Sequence, residues 1–289
     1  MIKIRIGGVP EHFNLPVLLA IEFELFKKND LEIEWHYYPS GTGAMTKAIK
    51  NNEIDVAIVL TEGAIAAINN GLQAKIIKQY ISSPLIWGIH TGKTSGLKNI
   101  GGALGKKYAI SRFGSGSQLM AMIDAEVRGT SIENNQFVLI ENLEGALSSL
   151  HKNETQVFFW EKYTTKPLVD KGLIDRVGEF VTPWSCFQMI ASNDFIEKKT
   201  AALIKMGETI NFSCKQFMKA PNSIDIVSER HQQKIEDVYN WFYSTEWNTD
   251  FSISQKMIEN VLFALKKIKV IENEKDVSFF IAENIVQLY

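Results

Sequence analysis

The residues of this chain that could do chemistry gather in short stretches at 10–13, 40–43, 61–63, 111–117, 160–161 and 183–185. Ser40, Gly41, Thr42 and Gly43 offer backbone N–H groups and two hydroxyls just before a helix-like run. A helix start of that kind favours a negative or strongly polar ligand group. No Gly-Lys-Ser/Thr follows, so it is not a P-loop, and it does not match a dinucleotide fingerprint. The competing reading is a tight turn with Thr42 as the N-cap. Ser111, Arg112, Phe113, Gly114, Ser115, Gly116 and Ser117 repeat this character, with Arg112 adding a fixed cation. There the alternatives are capping and a surface ion pair for Arg112.

Thr61 and Glu62 follow a wholly apolar run and open a helix. Glu62 either complements the helix dipole or accepts hydrogen bonds from an amine or ring N–H of a ligand. Glu161 carries the same two readings. His12 and Phe13 form either an aromatic and polar wall of a site or ordinary packing around Pro10 and Pro16. Trp160 and Trp184 either stack on a planar ligand or fill a core. His36, His90, His151 and His231 show no evident partner. "FGSGS" comes near the nucleophile elbow G-x-S-x-G without matching it, and no His-Glu-x-x-His occurs. No residue is therefore assigned a catalytic role, and no metal or cofactor is expected.

The elements that must position these residues follow from the bulk properties and the local pattern. A length of 289 residues suits two domains of roughly 100–150 residues each. Apolar residues make up 45% and charged residues 22%, as in an ordinary globular chain. The net charge of −2 and the lack of a basic stripe argue against nucleic acid. Lys266, Lys267 and Lys269 read as a solvated helix face. Cys186 and Cys214 are too few for a disulfide framework and read as buried thiols. The apolar runs, such as 56–60 and 64–68, fall far short of the ~20 residues needed to cross a bilayer, so no membrane insertion is expected. The N-terminus reads as a strand and not a signal peptide. As given the chain reads as cytoplasmic, and as periplasmic or lipid-anchored if a leader had been removed.

"IKIRIGGVP" predicts a first strand, "LPVLLAIEFELFKKND" a helix and "LEIEWHYYP" a second strand. "GAMTKAIKNN" predicts a short helix. "IDVAIVL" suits a strand buried on both faces of a parallel sheet. "GAIAAINNG" is a helix stopped by Gly71, and "AKIIKQYI" and "LIWGIHT" are further strands. The Gly-, Lys- and Ser-rich "GKTSGLKNIGGALGKK" marks a candidate domain crossing. Beyond it strand and helix alternate again, with "EKYTTKPLVDKG" as a helix and "CFQMIAS" as a strand returning to the first domain. The last ninety or so residues are mostly helical by period, with aromatic anchors. "GAMTKAIKNNEIDVAIV" and "EGALSSLHKNETQVFFW" align without a gap, an internal echo that fits two similar α/β lobes.

The segments "IRIGGVPEHFNLPVLLAIEFELFKKNDLEIEW", "SGTGAMTKAIKNNEIDVAIVLTEGAIAAINNG" and "GKKYAISRFGSGSQLMAMI" together resemble type II periplasmic solute-binding proteins. The similarity covers residues 1 to about 190 and is to the branch holding alkanesulfonate/taurine-binding and thiamine-pyrimidine-precursor proteins. It implies an α/β fold of two lobes, each a mainly parallel sheet flanked by helices, with the ligand in the cleft. The lobes would be 1–92 with 186–289, and 93–185, closing about hinges near 90–95 and 183–188. By position it implies ligand contacts from Ser40, Gly41, Thr42, Thr61, Glu62, Ser111 and Ser115 to Ser117. The Cys-Cys-Cys-Phe-Cys run of the fungal pyrimidine synthases is absent, which removes the reason to expect their iron-dependent chemistry. The leading expectation is a binding protein for a small polar or anionic molecule, with an ABC-type permease as the implied partner. An enzyme of cofactor biosynthesis using the same cleft and a cytoplasmic ligand sensor are the alternatives.

Overall fold

The computed structural model describes residues 1–289 and divides them into two compact units. The first is Met1–Ser83 with Trp184–Tyr289, and the second is Pro84–Pro183.

The first unit opens with β1 (Ile2–Gly8), α1 (Leu15–Glu22), β2 (Leu31–Tyr37), α2 (Thr42–Lys50), β3 (Val56–Leu60) and α3 (Thr61–Asn69), and then enters the long β4 (Ala74–Thr91). β1 lies between β2 and β3 and is parallel to both. Val56, Ala57, Ile58 and Val59 are all buried, as a strand covered on both faces requires. The guanidinium of Arg5 on β1 reaches Asp55, with Nη2 2.6 Å from Oδ1, and ties the foot of β3 to its neighbour.

The second unit contains β5 (Tyr108–Ile110), α4 (Gly116–Val127), β6 (Phe137–Leu139), α5 (Leu143–His151), β7 (Val157–Glu161) and α6 (Lys166–Asp170). β5 runs parallel to β6 and β7, and β7 is antiparallel to residues 87–90 of β4. The chain leaves along β8 (Asp175–Ser192), whose residues 187–191 run antiparallel to β3 in the first unit. Each unit is thus a mainly parallel sheet with one antiparallel strand, and helices pack on it. The fold class is α/β.

The remaining elements are α7 (Asn193–Lys219), α8 (Ser223–His231), α9 (Ile235–Ser244), β9 (Ser252–Ile253), α10 (Gln255–Lys267) and β10 (Gln287–Leu288). α7 packs on α1 and α10 on α3, and Trp241, Trp247 and Phe242 are buried among them. No helix is long and apolar enough to cross a membrane.

The two segments that echo each other in sequence share one local design. Each is a helix of nine residues, α2 or α5, followed by an Asn at positive φ: Asn52 at 57° and Asn153 at 56°. Each then gives a strand of five residues, β3 or β7. The side chain just before each strand accepts a backbone N–H from a neighbouring segment: Asp55 from Arg5 at 2.8 Å, and Gln156 from Lys107 at 3.1 Å.

Some local expectations are corrected. The two strands read from 74–81 and 85–91 are one strand, because Ser82, Ser83 and Pro84 keep an extended backbone and Ser82 N–H donates to Glu246 O at 2.8 Å. The passage between units therefore runs inside β4 and β8, and the Gly-, Lys- and Ser-rich 92–107 belongs wholly to the second unit. The helix expected over 161–172 shrinks to α6, because Glu161 and Thr165 hold the preceding turn.

Candidate functional site

The polar residues of the first unit converge where β3 meets α3. The apolar strand ends at Leu60, and the chain turns at once into Thr61 and Glu62, both buried. Thr42, the first residue of α2, lies against this turn, its Oγ1 accepting the Leu60 N–H at 3.1 Å. The N-cap of α2 is Gly41, at φ 72° and without a side-chain cap. The competing reading of Thr42 as the N-cap of α2 does not hold, since its hydroxyl serves the next strand. Gly63 completes the junction. A Cβ there would stand 2.5 Å from Thr42 Cγ2, so only glycine lets α2 and α3 approach this closely. Ser40 is exposed.

Around Glu62 a buried polar network forms. Trp184 Nε1–H donates to Glu62 Oε2 at 3.0 Å. Thr61 Oγ1–H donates to Ser185 O at 2.5 Å, and Gln188 Nε2 donates to Thr61 Oγ1 at 3.1 Å and to Ser185 Oγ at 3.4 Å. Ser185 Oγ in turn donates to Gln79 Oε1 at 3.3 Å. Burial raises the Glu62 carboxyl to about 7, opposed by the Trp184 indole and by its own backbone N–H. Glu62 and Trp184 were both read as candidate contacts. Ser185 closed the candidate stretch 183–185, but Gln188 and Gln79 were not singled out, although a glutamine inside the apolar run "CFQMIAS" was the available signal.

His12 and Phe13 lie in the same unit but in an aromatic core. The His12 ring stands 4.2 Å from that of Trp241, 4.8 Å from Phe13 and 5.6 Å from His231. Burial, helped by His231, holds the His12 imidazole well below its ordinary value. Phe13 O accepts from Tyr80 Oη at 2.7 Å and Trp247 Nε1 at 3.1 Å. The pair acts here as packing.

In the second unit the loop before α4 is organised by its own serines. Ser115 is the N-cap of α4 and accepts from Gln118 N at 3.4 Å. Its Oγ lies 2.9 Å from Ser117 Oγ, which accepts the Ser111 N–H at 3.2 Å. Gly114, at φ 76°, makes the bend before Ser115 and Gly116. Arg112 is half-buried, and burial lowers its guanidinium from the ordinary value.

Glu161 is buried but folds back on its own turn, accepting from Tyr163 N at 3.0 Å and Thr164 N at 2.5 Å. Burial raises its carboxyl, and those two amides oppose the rise. Trp160 is half-buried and packs on the core around Ala109 and Phe158, 5.3 Å from the Phe158 ring. His90, assigned nothing from sequence, is buried with Nε2 2.9 Å from Thr165 Oγ1.

Thr42→Val and Ser115→Ala are each expected to cost about 1 kcal/mol by removing an acceptor from a backbone N–H. Urea midpoints at unchanged slope measure this. A loss several times larger would show that each side chain does more than receive one N–H.

Comparison with known proteins agrees with this architecture. The Ca3427-like PBP family matches residues 87–180 and the NMT1-like family matches residues 2–85. Among curated proteins there is no match. The Candida albicans CA3427 gene product is described as exhibiting the generic periplasmic binding protein fold. It superposes with a TM-score of 0.91 at 25% identity, over 100% of this chain and 99% of that one. The alkanesulfonate-binding protein SsuA from Xanthomonas axonopodis pv. citri, bound to MOPS, gives 0.79 at 13% identity, over 100% and 99%. The nitrate-binding protein NrtA from Synechocystis PCC 6803 gives 0.71 at 12% identity, over 94% and 83%. The resemblance read from the sequence holds at the level of fold: the chain has the type II periplasmic-binding-protein-like architecture.

Proposed function

We propose that this protein binds a small polar solute, with the Thr42, Glu62 and Trp184 junction of the first unit as the heart of its site. The observation that carries the reading is Glu62, a buried carboxyl that accepts the Trp184 indole N–H. Stability alone gives no reason to bury an acid there. The likeness to sulfonate- and nitrate-binding proteins supports a solute-binding role. In this reading the solute is of the sulfonate or thiamine-pyrimidine-precursor class, and the protein delivers it to an ABC-type permease. In the second unit the loop 111–117, with the Ser115 and Ser117 hydroxyls, is a separate candidate for polar ligand contacts.

A thermal-shift panel of sulfonates, nitrate, pyrimidines, small carboxylates and amines tests it. A ligand at about 100 times its Kd stabilises the fold by about 2.7 kcal/mol. A shift confined to one chemical class is expected. No shift with any class, together with an empty protein by native mass spectrometry, would sink the reading.

The buried placement of Glu62 beside the Trp184 indole also suits general acid–base work, since burial raises the carboxyl to about 7. Turnover of a binding solute, lost in Glu62→Gln, would establish it. A solute recovered unchanged would exclude it for that solute.

A further inference from the structure

The Glu62 network leaves two buried acceptors unmet. The side-chain donors of Trp184, Thr61, Ser185 and Gln188 are committed. Trp184 Nε1–H goes to Glu62 Oε2, Thr61 Oγ1–H to the Ser185 carbonyl, Ser185 Oγ–H to Gln79, and the Gln188 amide N–H groups to Thr61 and Ser185. Two acceptors are left over. Glu62 Oε1 and Gln188 Oε1 are both buried with no partner, in residues 1% and 0% exposed. The orientation of the Gln188 amide follows from the network. Thr61 has already given its only hydroxyl proton to Ser185 O, so the group facing Thr61 Oγ1 must be the NH₂. Turning the amide over would set two acceptors against each other.

Both oxygens belong to one bonded patch. Thr61, next to Glu62, holds Gln188, and Ser185, next to Trp184, holds Gln188 as well. A buried acceptor left unmet costs about 1–3 kcal/mol, and two in one patch call for something that brings donors.

We infer that Glu62 Oε1 and Gln188 Oε1 form an acceptor subsite that takes nitrogen-borne N–H groups of the ligand, an ammonium, amidinium or amide. This rests on the solute-binding reading and narrows it. A bare oxyanion would bring further acceptors to two oxygens that themselves lack donors. A solute with an acidic end must therefore carry a nitrogen donor as well, or turn its acidic end elsewhere. The indole of Trp184, already aligned on Oε2, leaves Oε1 as the position for the incoming charge-assisted hydrogen bond.

The test uses the full chain, ¹⁵N-labelled, with acetamidinium chloride as probe and sodium chloride, sodium methanesulfonate and sodium nitrate as matched comparisons, well above pH 7. The Trp184 indole N–H resonance and the melting temperature are the readouts. Acetamidinium is expected to move the indole signal and raise Tm, whereas methanesulfonate and nitrate leave the indole unmoved. Glu62→Gln and Gln188→Met are each expected to weaken acetamidinium by about tenfold or more, with each variant checked for folding by its own unfolding transition. An indole signal unmoved by acetamidinium would overturn the subsite and point to buried water on the two oxygens. If methanesulfonate or nitrate moves that signal and acetamidinium does not, the subsite falls and solute binding stands. If the whole thermal-shift panel also fails, the parent reading falls with it.

Discussion

Glu62→Gln is expected to make the protein more stable above neutral pH, by up to roughly 3 kcal/mol, and no more stable in acid. The carboxyl titrates at about 7 in the folded chain and at 4.5 when exposed. Between those values the native state binds more protons than the unfolded state, so stability falls as pH rises through the window. Below 4.5 both states are protonated and the full stability is present. Above about 7 the buried carboxylate is ionised and the loss is complete. Glutamine keeps an oxygen for the Trp184 indole and never ionises, so the variant lacks this slope. Urea unfolding of both proteins across that range measures the difference. If the two curves run parallel, the slope belongs to other groups and Glu62 is not the strained acid of this fold. A gain in stability at the candidate site is the pattern expected where function is retained at the expense of the fold.

Lys78→Ala is expected to destabilise the first unit by about 3–5 kcal/mol. Lys78 lies on β4 with 1% exposure, and its Nζ donates to Asn248 O at 3.1 Å and Asp250 O at 2.6 Å, above the Phe251 ring. Alanine removes the stem from a packed core and strands two carbonyls. Lys78→Met refills most of the volume and strands the carbonyls only, so its cost is expected nearer 1–3 kcal/mol. Burial lowers the amine to about 8 from 10.5. Between those values the unfolded chain binds more protons, so this lysine's contribution rises with pH across that window. Denaturant midpoints of the three proteins settle the order. A methionine variant as stable as wild type would mean that the two hydrogen bonds contribute nothing net.

The elements legible in the sequence were those whose signal is local. The continuous apolar run of β3, the alternation of β1 and β2, and the paired segments that became α2–β3 and α5–β7 all report burial through residues close in the chain. Thr42 was singled out for its place before a helix, but its actual partner, the Leu60 N–H, is fixed only once β3 packs beside α2. Glu161 and Glu62 looked alike from sequence because each follows an apolar strand. They part because Glu161 finds two amides in its own turn, whereas Glu62 finds an indole 122 residues away. Gln188 and Lys78 were passed over for the same reason. A polar residue in an apolar strand can pass for a surface position until the distant atoms that satisfy it are known. The break between the two strands read at 74–81 and 85–91 falls at Ser82-Ser83-Pro84, residues that an extended backbone tolerates.

The interrupted course of the first unit has a consequence for the order in which a ribosome delivers its parts. When residue 83 has emerged, β3 has β1 on one side but lacks its other neighbour, β8, and the Lys78 amine has no acceptors. The second unit, contiguous from Pro84 to Pro183, can close as soon as its last residue is out. The first must wait for β8 and then for residue 250. At about 5–20 residues per second that interval is on the order of ten seconds or more. Until β8 emerges the apolar edge Val56–Leu60 is an open template for pairing with other chains. The nascent first segment is thus the part of this protein most in need of a chaperone, and the later-made middle is the first to be finished.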